Sequence, residues 1–505
     1  MGQPGLDGSP SPPSGVPARE LLWPLLAAMA AAAAAAPLWS SRFLPYQDAP
    51  EHIAAIRIIA DYRTTGFDFA RWFVIDLHRL QYLGFYLPGA ALAKLVGPEA
   101  ACRLLLTAIA FALPAASWML LESFQGDRRL AVLAPAVFHT TPLYLGFFNF
   151  VASVPATIAV VALAERELRA PRAGRAAVLA LGAAALLWLH PSALALALGA
   201  AVLLAVSSGQ SPGRIARALA PFVPSLALIC AWAVRAVAAR DGAGATARTP
   251  PIWLGPKGQI LDLLRLGNVV ASHVDEVFIL LIGLIFVAVI LVPGRPRIER
   301  GWRLPLVAAG TFATYMILPW EAGFIGYINL RALPFLALVV LASPSIAKGR
   351  ATSALLAAAV ALQIAYAVAL SRIYRAFDRE AQGIELSQVL QAASPGTSLV
   401  ALIYEQKSHL VMGRPYLHFG SYFEVERGGR ARTNFAEAPW SPVRYRPETA
   451  PPTLPLGWAL EPDLGVASRV AAVDDYLLVR GPGDAPGPPF FLRAEAGRWA
   501  LYERR

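Results

Sequence analysis

The hydrophobic residues of this chain come in long, nearly unbroken runs, not in the alternating pattern of a water-soluble core. Eleven such runs cover 21–39, 102–121, 130–145, 147–164, 176–190, 191–206, 218–238, 277–291, 304–320, 324–342 and 351–370. Their lengths are on the scale of a hydrocarbon core of about 30 Å. Lipid offers the backbone no hydrogen-bond partners, so spanning segments of this kind are helices. A twelfth, shorter apolar stretch, Tyr82 to Val96, is interrupted by Pro88 and Gly89. Alternation of the spans closes only if that stretch dips in and returns without crossing.

After Leu370 the pattern changes. Residues 376–393 read as helix, Pro395 and Gly396 break it, and Ser398 to Tyr404 alternates like a strand. Further strands are expected at Val473 to Val479 and at Trp499 to Tyr502, with a turn at Gly428 and Gly429 and a Pro-rich stretch over 447–455. The expected fold is therefore an all-α polytopic membrane protein of about 11 transmembrane helices with a small C-terminal α/β domain. Its parts are a disordered tail over 1–20, a transmembrane domain over 21–371 with a first external loop at 40–101, and the C-terminal domain over 372–505. The first run, 21–39, is long enough to be an uncleaved anchor, although Ala27 to Ala36 also supplies the small residues of a signal-peptide cleavage site.

Composition supports this reading. The apolar fraction is 56% and the charged fraction only 15%, against about 25% charge in soluble domains. A net charge of +11 could point to nucleic acid. Here the arginines fall in short clusters between apolar runs, which reads as membrane topology and excludes a nucleic-acid patch. Five clusters stand out: Arg128 and Arg129; Arg166, Arg169, Arg172 and Arg175; Arg214 and Arg217; Arg295, Arg297, Arg300 and Arg303; Lys348 and Arg350. All five can lie on the cytoplasmic side. The N-terminus is then cytoplasmic, and the first loop, the His190–Pro191 turn, the edge near Glu321 and the C-terminal domain face outward. The two cysteines, Cys102 and Cys230, sit in separate predicted spans and make no disulfide framework.

The densest chemistry follows the first run, in Tyr46-Gln47-Asp48-Ala49-Pro50-Glu51-His52. At helical spacing Asp48, Glu51 and His52 can share a face. Two carboxylates and an imidazole can deprotonate a hydroxyl or bind a divalent cation. Asp48 and Glu51 flanking Pro50 also match an Asp variant of the capping box that starts a helix. Ile53, Ile56, Ile59 and Ala60 then recur at helical spacing, as in a helix lying along a membrane surface.

Arg331, in Gly326-Tyr327-Ile328-Asn329-Leu330-Arg331, lies about two turns inside an apolar segment. A charge there is expensive, and its guanidinium fork matches a phosphate; snorkelling to the interface is the bland alternative. Glu321 can pair with it. Asp76 and His78 are further polar candidates in the first loop. His139, Asn149 and His190 read as helix–helix hydrogen-bonding groups near outer span ends, with His190 also a candidate site residue. His409, His418, Tyr422 and Glu424 form a polar stretch in the C-terminal domain that could contribute acceptor recognition but reads more readily as a solvated strand and turn. No zinc-type spacing, paired Cys motif or phosphate-binding Gly loop is present.

The anchor run, the Asp-Ala-Pro-Glu-His stretch, the long first loop, the many spans and the terminal domain together resemble bacterial members of the glycosyltransferase C superfamily. The resemblance covers the layout of nearly the whole chain but only a few residues of motif. It implies a membrane glycosyltransferase of the bacterial inner membrane that moves a sugar from a polyprenyl-phosphate donor to an extracytoplasmic acceptor of unspecified kind. It further implies Asp48 as general base or orienter of the acceptor hydroxyl, Glu51 and His52 in the same pocket, and Arg331 near the lipid phosphate. A divalent cation is compatible with the acidic pair, though the sequence specifies no metal site. A transporter and a non-catalytic membrane scaffold for the C-terminal domain are the rival readings.

Overall fold

A computed structural model of the chain describes residues 18–240, 250–264, 266–296, 301–322, 325–438, 440–452, 473–482 and 486–505. The expected disordered tail, apart from Ala18 to Glu20, lies outside the described residues, as do Arg297, Arg300 and part of the Pro-rich stretch.

Among the described residues six helical segments are long and apolar enough to cross a membrane: Leu21–Trp39, Pro98–Ser123, Phe148–Arg169, Pro212–Trp232, Val274–Leu291 and Arg350–Gln391. Four shorter apolar helices accompany them, Leu83–Val96, Ala173–Leu189, Pro191–Val206 and Asn329–Ala342. The expected count of eleven spans is therefore not met by helices of full length. The run at 130–145 departs most: it forms a 3-10 helix, Arg128–Val137, and then a single turn, Thr141–Tyr144. Pro135 removes a backbone donor within the 3-10 segment, and Pro142 opens the turn that follows. Leu83–Val96 is a 14-residue helix, about 21 Å long at 1.5 Å per residue and shorter than a hydrocarbon core.

The basic clusters gather at one end of the bundle. Arg128 and Arg166 both reach Glu122, at 3.0 and 3.2 Å. Arg129 donates to the Ala347 carbonyl and to Ser353, beside Lys348 and Arg350. Arg175 donates to the Arg166 carbonyl, and the helix carrying Arg214 and Arg217 packs on Phe148–Arg169 and Pro191–Val206. Arg303 is buried and donates to Glu165 and to the Leu204 carbonyl, both at 2.5 Å. Glu165→Ala would strand that arginine without its carboxylate. The expected cost is about 3–5 kcal/mol, measurable as a lower unfolding temperature of the purified protein with Arg303→Met restoring part of it.

The opposite end is built by the first loop and the C-terminal segment together. The helix Arg350–Ala381 runs through the expected boundary at Arg372 and ends on Gln382 in the left-handed conformation. A five-stranded sheet follows, in the order Arg430–Ala431, Ser398–Ile403, Tyr476–Arg480, Trp499–Arg504, Phe490–Ala496; the first two pairings are parallel and the others antiparallel. First loop and sheet region interlock. The strand Phe73–Ile75 pairs with Val443–Tyr445, Trp72 donates to the Gly396 carbonyl at 2.9 Å, and Gly429 donates to the Phe67 carbonyl. One apolar cluster accordingly runs from Ala27 through Ile53, Leu113 and Leu370 to Tyr422 and Trp499.

The helix Ala49–Ala60 is not a surface helix. Ile53, Ile56 and Ile58 are buried, and it packs against Leu83–Val96, Pro98–Ser123 and Tyr422–Arg427. Its apolar residues face protein on nearly every side, where an amphipathic reading allowed for one.

Candidate active site

Asp48 stands at the N-cap position of Ala49–Ala60, but its side chain makes no capping hydrogen bond. The capping box foreseen from the sequence does not form. The Glu51 carboxylate turns away from the helix start, accepting from Ser421 Oγ at 2.9 Å and from the Phe435 backbone N–H at 2.7 Å. Both carboxylates meet at His418, with Nε2 3.4 Å from Asp48 Oδ1 and Nδ1 3.1 Å from Glu51 Oε1. The first turn of one helix and the chain ahead of the Tyr422–Arg427 helix thus form a carboxylate–imidazole–carboxylate array.

Electrostatics separates the three groups. Burial raises the Asp48 pKa, the His418 charge lowers it and Glu51 raises it, leaving it near about 6. For His418, burial lowers the pKa, but the adjacent Glu51 carboxylate, the charge of Asp48 and the Thr433 backbone outweigh it and raise it to about 9. At neutral pH, Asp48 is ionised beside an imidazolium. His52 is different: burial lowers it to about 3 and keeps it neutral. Its Nε2 lies 2.6 Å from the Gly146 carbonyl and its Nδ1 2.8 Å from Tyr86 Oη, contacts that join Ala49–Ala60 to the turn before Phe148–Arg169.

Gly146 makes that junction possible. It has φ +87°, and an added Cβ would lie 2.6 Å from Asp48 Cβ and 2.7 Å from its backbone nitrogen. Gly146→Ala is expected to cost about 1–3 kcal/mol of stability and to displace the Asp48 carboxylate. The unfolding temperature of the purified variant measures that loss.

Asp48 and His52 open onto a cleft whose other walls include Tyr82, Phe147, Asn149, His190, Arg331 and Trp440. Phe, Tyr and Trp supply half of the lining residues. Arg331, in the 3-10 turn Asn329–Ala332, holds its guanidinium 5.2 Å from the Phe147 ring centroid. Its Nε is buried without a hydrogen-bond partner, as is Asn149 Oδ1. Among the described residues no carboxylate pairs with Arg331. The cleft therefore has an acidic wall at Asp48 and an unpaired cationic wall at Arg331, both desolvated.

The remaining sequence candidates go elsewhere. Asp76 pairs with Arg79 at 3.1 Å and caps the His78 backbone N–H, and His78 is exposed; neither lines the cleft. A short loop strand lets its side chains find local partners before they can reach a distant cavity. The Glu321 backbone pairs with Gly326 and bridges to Ile252, and its side chain does not meet Arg331. His190 does line the cleft. His139 makes the helix-linking bond foreseen for it, to the Ala34 carbonyl at 2.7 Å.

His418 is the residue that local sequence missed. In Tyr416-Leu417-His418-Phe419 no spacing ties it to Asp48, 370 positions upstream. His418 stands between the Asp48 and Glu51 carboxylates that a divalent cation would need. Among the described residues no group of three or more His, Cys, Asp or Glu is arranged to hold a metal ion.

No family model matches the chain, and no curated protein does. Among solved structures it is similar to the crystal structure of the Archaeoglobus fulgidus oligosaccharyltransferase in complex with Zn and sulfate. The overlay has a TM-score of 0.40 and 13% identity over 91% of this chain and 68% of that one.

Proposed function

We propose that the chain is a membrane glycosyltransferase that moves a sugar from a polyprenyl-phosphate donor to an acceptor hydroxyl in this cleft. The observation that carries the reading is the convergence of an ionised, desolvated carboxylate and an unpaired, desolvated guanidinium on one aromatic-lined cavity. The apolar helices flanking it give a lipid tail its solvent, and the rings give a sugar its stacking faces. The basic end of the bundle would be cytoplasmic by the positive-inside rule, which sets the cleft at the outer leaflet.

In this scheme Asp48 takes the proton of the acceptor hydroxyl as that oxygen bonds to the anomeric carbon. The bond from that carbon to the phosphate oxygen breaks, and Arg331 stabilises the charge gathered on the leaving phosphate. His418 keeps Asp48 ionised in its apolar setting and is itself fixed by Glu51.

The rate should therefore fall on acidification with an apparent midpoint near the Asp48 value of about 6, read as a property of the coupled array. The imidazolium lowers the Asp48 pKa, so His418→Phe should move that acid limb to higher pH. A limb that stays in place would remove His418 from the array's electrostatics.

A carrier would also place charges beside broken apolar segments. Proteoliposomes loaded with polyprenyl-phosphate sugar separate the two. Acceptor-dependent release of polyprenyl phosphate without flux supports transfer, whereas flux of intact substrate with no bond cleavage would replace the enzyme by a transporter.

A further inference from the structure

One imidazole on the cleft wall has no part in that scheme. His190 ends the helix Ala173–Leu189 and caps the helix Pro191–Val206. Its Nδ1 accepts the Ser192 backbone N–H at 3.3 Å and lies 2.7 Å from Ser192 Oγ. A peptide N–H can only donate, so Nδ1 carries no proton, and the single proton of the neutral ring is on Nε2. The fold has fixed the tautomer before any ligand arrives.

The ring is held beside Tyr82 and Phe150, with centroids 5.7 and 5.5 Å away, and is 8% exposed. No described residue accepts its Nε2 proton. On the same cavity the Arg331 Nε is buried without a partner. This wall therefore carries one neutral donor and one cation, neither of them paired with a carboxylate among the described residues. Such a pair calls for a ligand with several acceptor oxygens and negative charge, which is the chemistry of a phosphoryl group.

We infer that His190 Nε2–H and the Arg331 guanidinium together form the subsite for the donor's phosphate, an inference that rests on the proposed transfer reaction. His190 is a binding residue of fixed direction: it adds a hydrogen bond to a phosphate oxygen without adding a second full charge that would retain the product.

The test is equilibrium binding of polyprenyl phosphate, polyprenyl alcohol and inorganic phosphate to the purified full chain, as wild type, His190→Phe and His190→Asn. Asparagine preserves the N-cap role but is too short to replace the Nε2 donor, so it separates capping from recognition. Both variants should bind polyprenyl phosphate about 10- to 100-fold more weakly, bind the alcohol as wild type does, and raise the donor KM more than they lower kcat. His190→Asn binding polyprenyl phosphate like wild type would reduce His190 to a helix cap and overturn the inference while leaving the transfer reaction standing. Wild type failing to prefer the phosphate over the alcohol would overturn the reading of the cleft itself. Equal affinity for inorganic phosphate would overturn the lipid-linked source of the anion.

Discussion

Asp48→Asn is expected to lower kcat by about 100- to 10,000-fold while the protein remains folded. Asparagine is nearly isosteric, and its carbonyl can keep the 3.4 Å contact that Gln47 Nε2 makes with Asp48 Oδ1. It cannot take a proton. No neighbour stands ready to replace it, because Asp48 is the one carboxylate among the described residues lining the cleft and Glu51 is held by Ser421, Phe435 and His418 behind it. Asp48 also makes no capping bond, so the substitution removes no helix-start interaction that could lower the rate indirectly. Rates measured with unfolding temperatures would check this. A variant with wild-type kcat would take Asp48 out of the chemistry.

Arg331→Ala is expected to reduce donor kcat/KM by roughly 100- to 1,000-fold, with the unexpected companion that the protein should be no less stable. A guanidinium whose Nε is buried without a partner costs folding free energy, so truncating it removes a liability along with a function. A structural arginine would behave in the opposite way, losing stability in step with activity. Arg331→Lys should recover only a fraction of the rate, since a point charge cannot bridge two phosphate oxygens as the planar fork does. Rate and unfolding temperature measured on the same preparations distinguish these cases.

Much of the bundle was legible because lipid imposes a simple rule, that backbone polarity be satisfied within the helix. The runs at 102–121, 147–164, 176–190, 191–206 and 277–291 all lie on helices for that reason. Where prolines interrupt, at Pro135 and Pro142, hydropathy alone read a span that the backbone does not make. The strands at Ser398–Ile403, Tyr476–Arg480 and Trp499–Arg504 were visible from alternation. Pairing of Phe73–Ile75 with Val443–Tyr445 was not, because a three-residue strand carries too little pattern and its partner is some 370 residues away.

The site divides along the same line. Arg331 could be singled out because a charge inside an apolar run is costly enough to stand out, and Asp48 and His52 because they share a helical face just after the first run. Glu51 was placed with Asp48 by helical spacing, yet the structure directs it behind the cleft. His418 lay in a stretch whose ordinary polarity gave no sign that it would stand between two carboxylates. Long-range contacts of this kind are decided by how the C-terminal segment folds back over the first loop.

The central claim is that Asp48 and Arg331 act on one lipid-linked phosphosugar within one cleft. Its most direct test is an electron cryomicroscopy structure of the full chain bound to a polyprenyl-phosphate sugar. The expected result is phosphate oxygens within hydrogen-bonding distance of the Arg331 guanidinium, the sugar among the rings of Phe147 and its neighbours, and Asp48 facing the anomeric carbon across room for an acceptor hydroxyl. Ligand density on another surface, or a phosphate held away from Arg331 with the cleft empty, would contradict it.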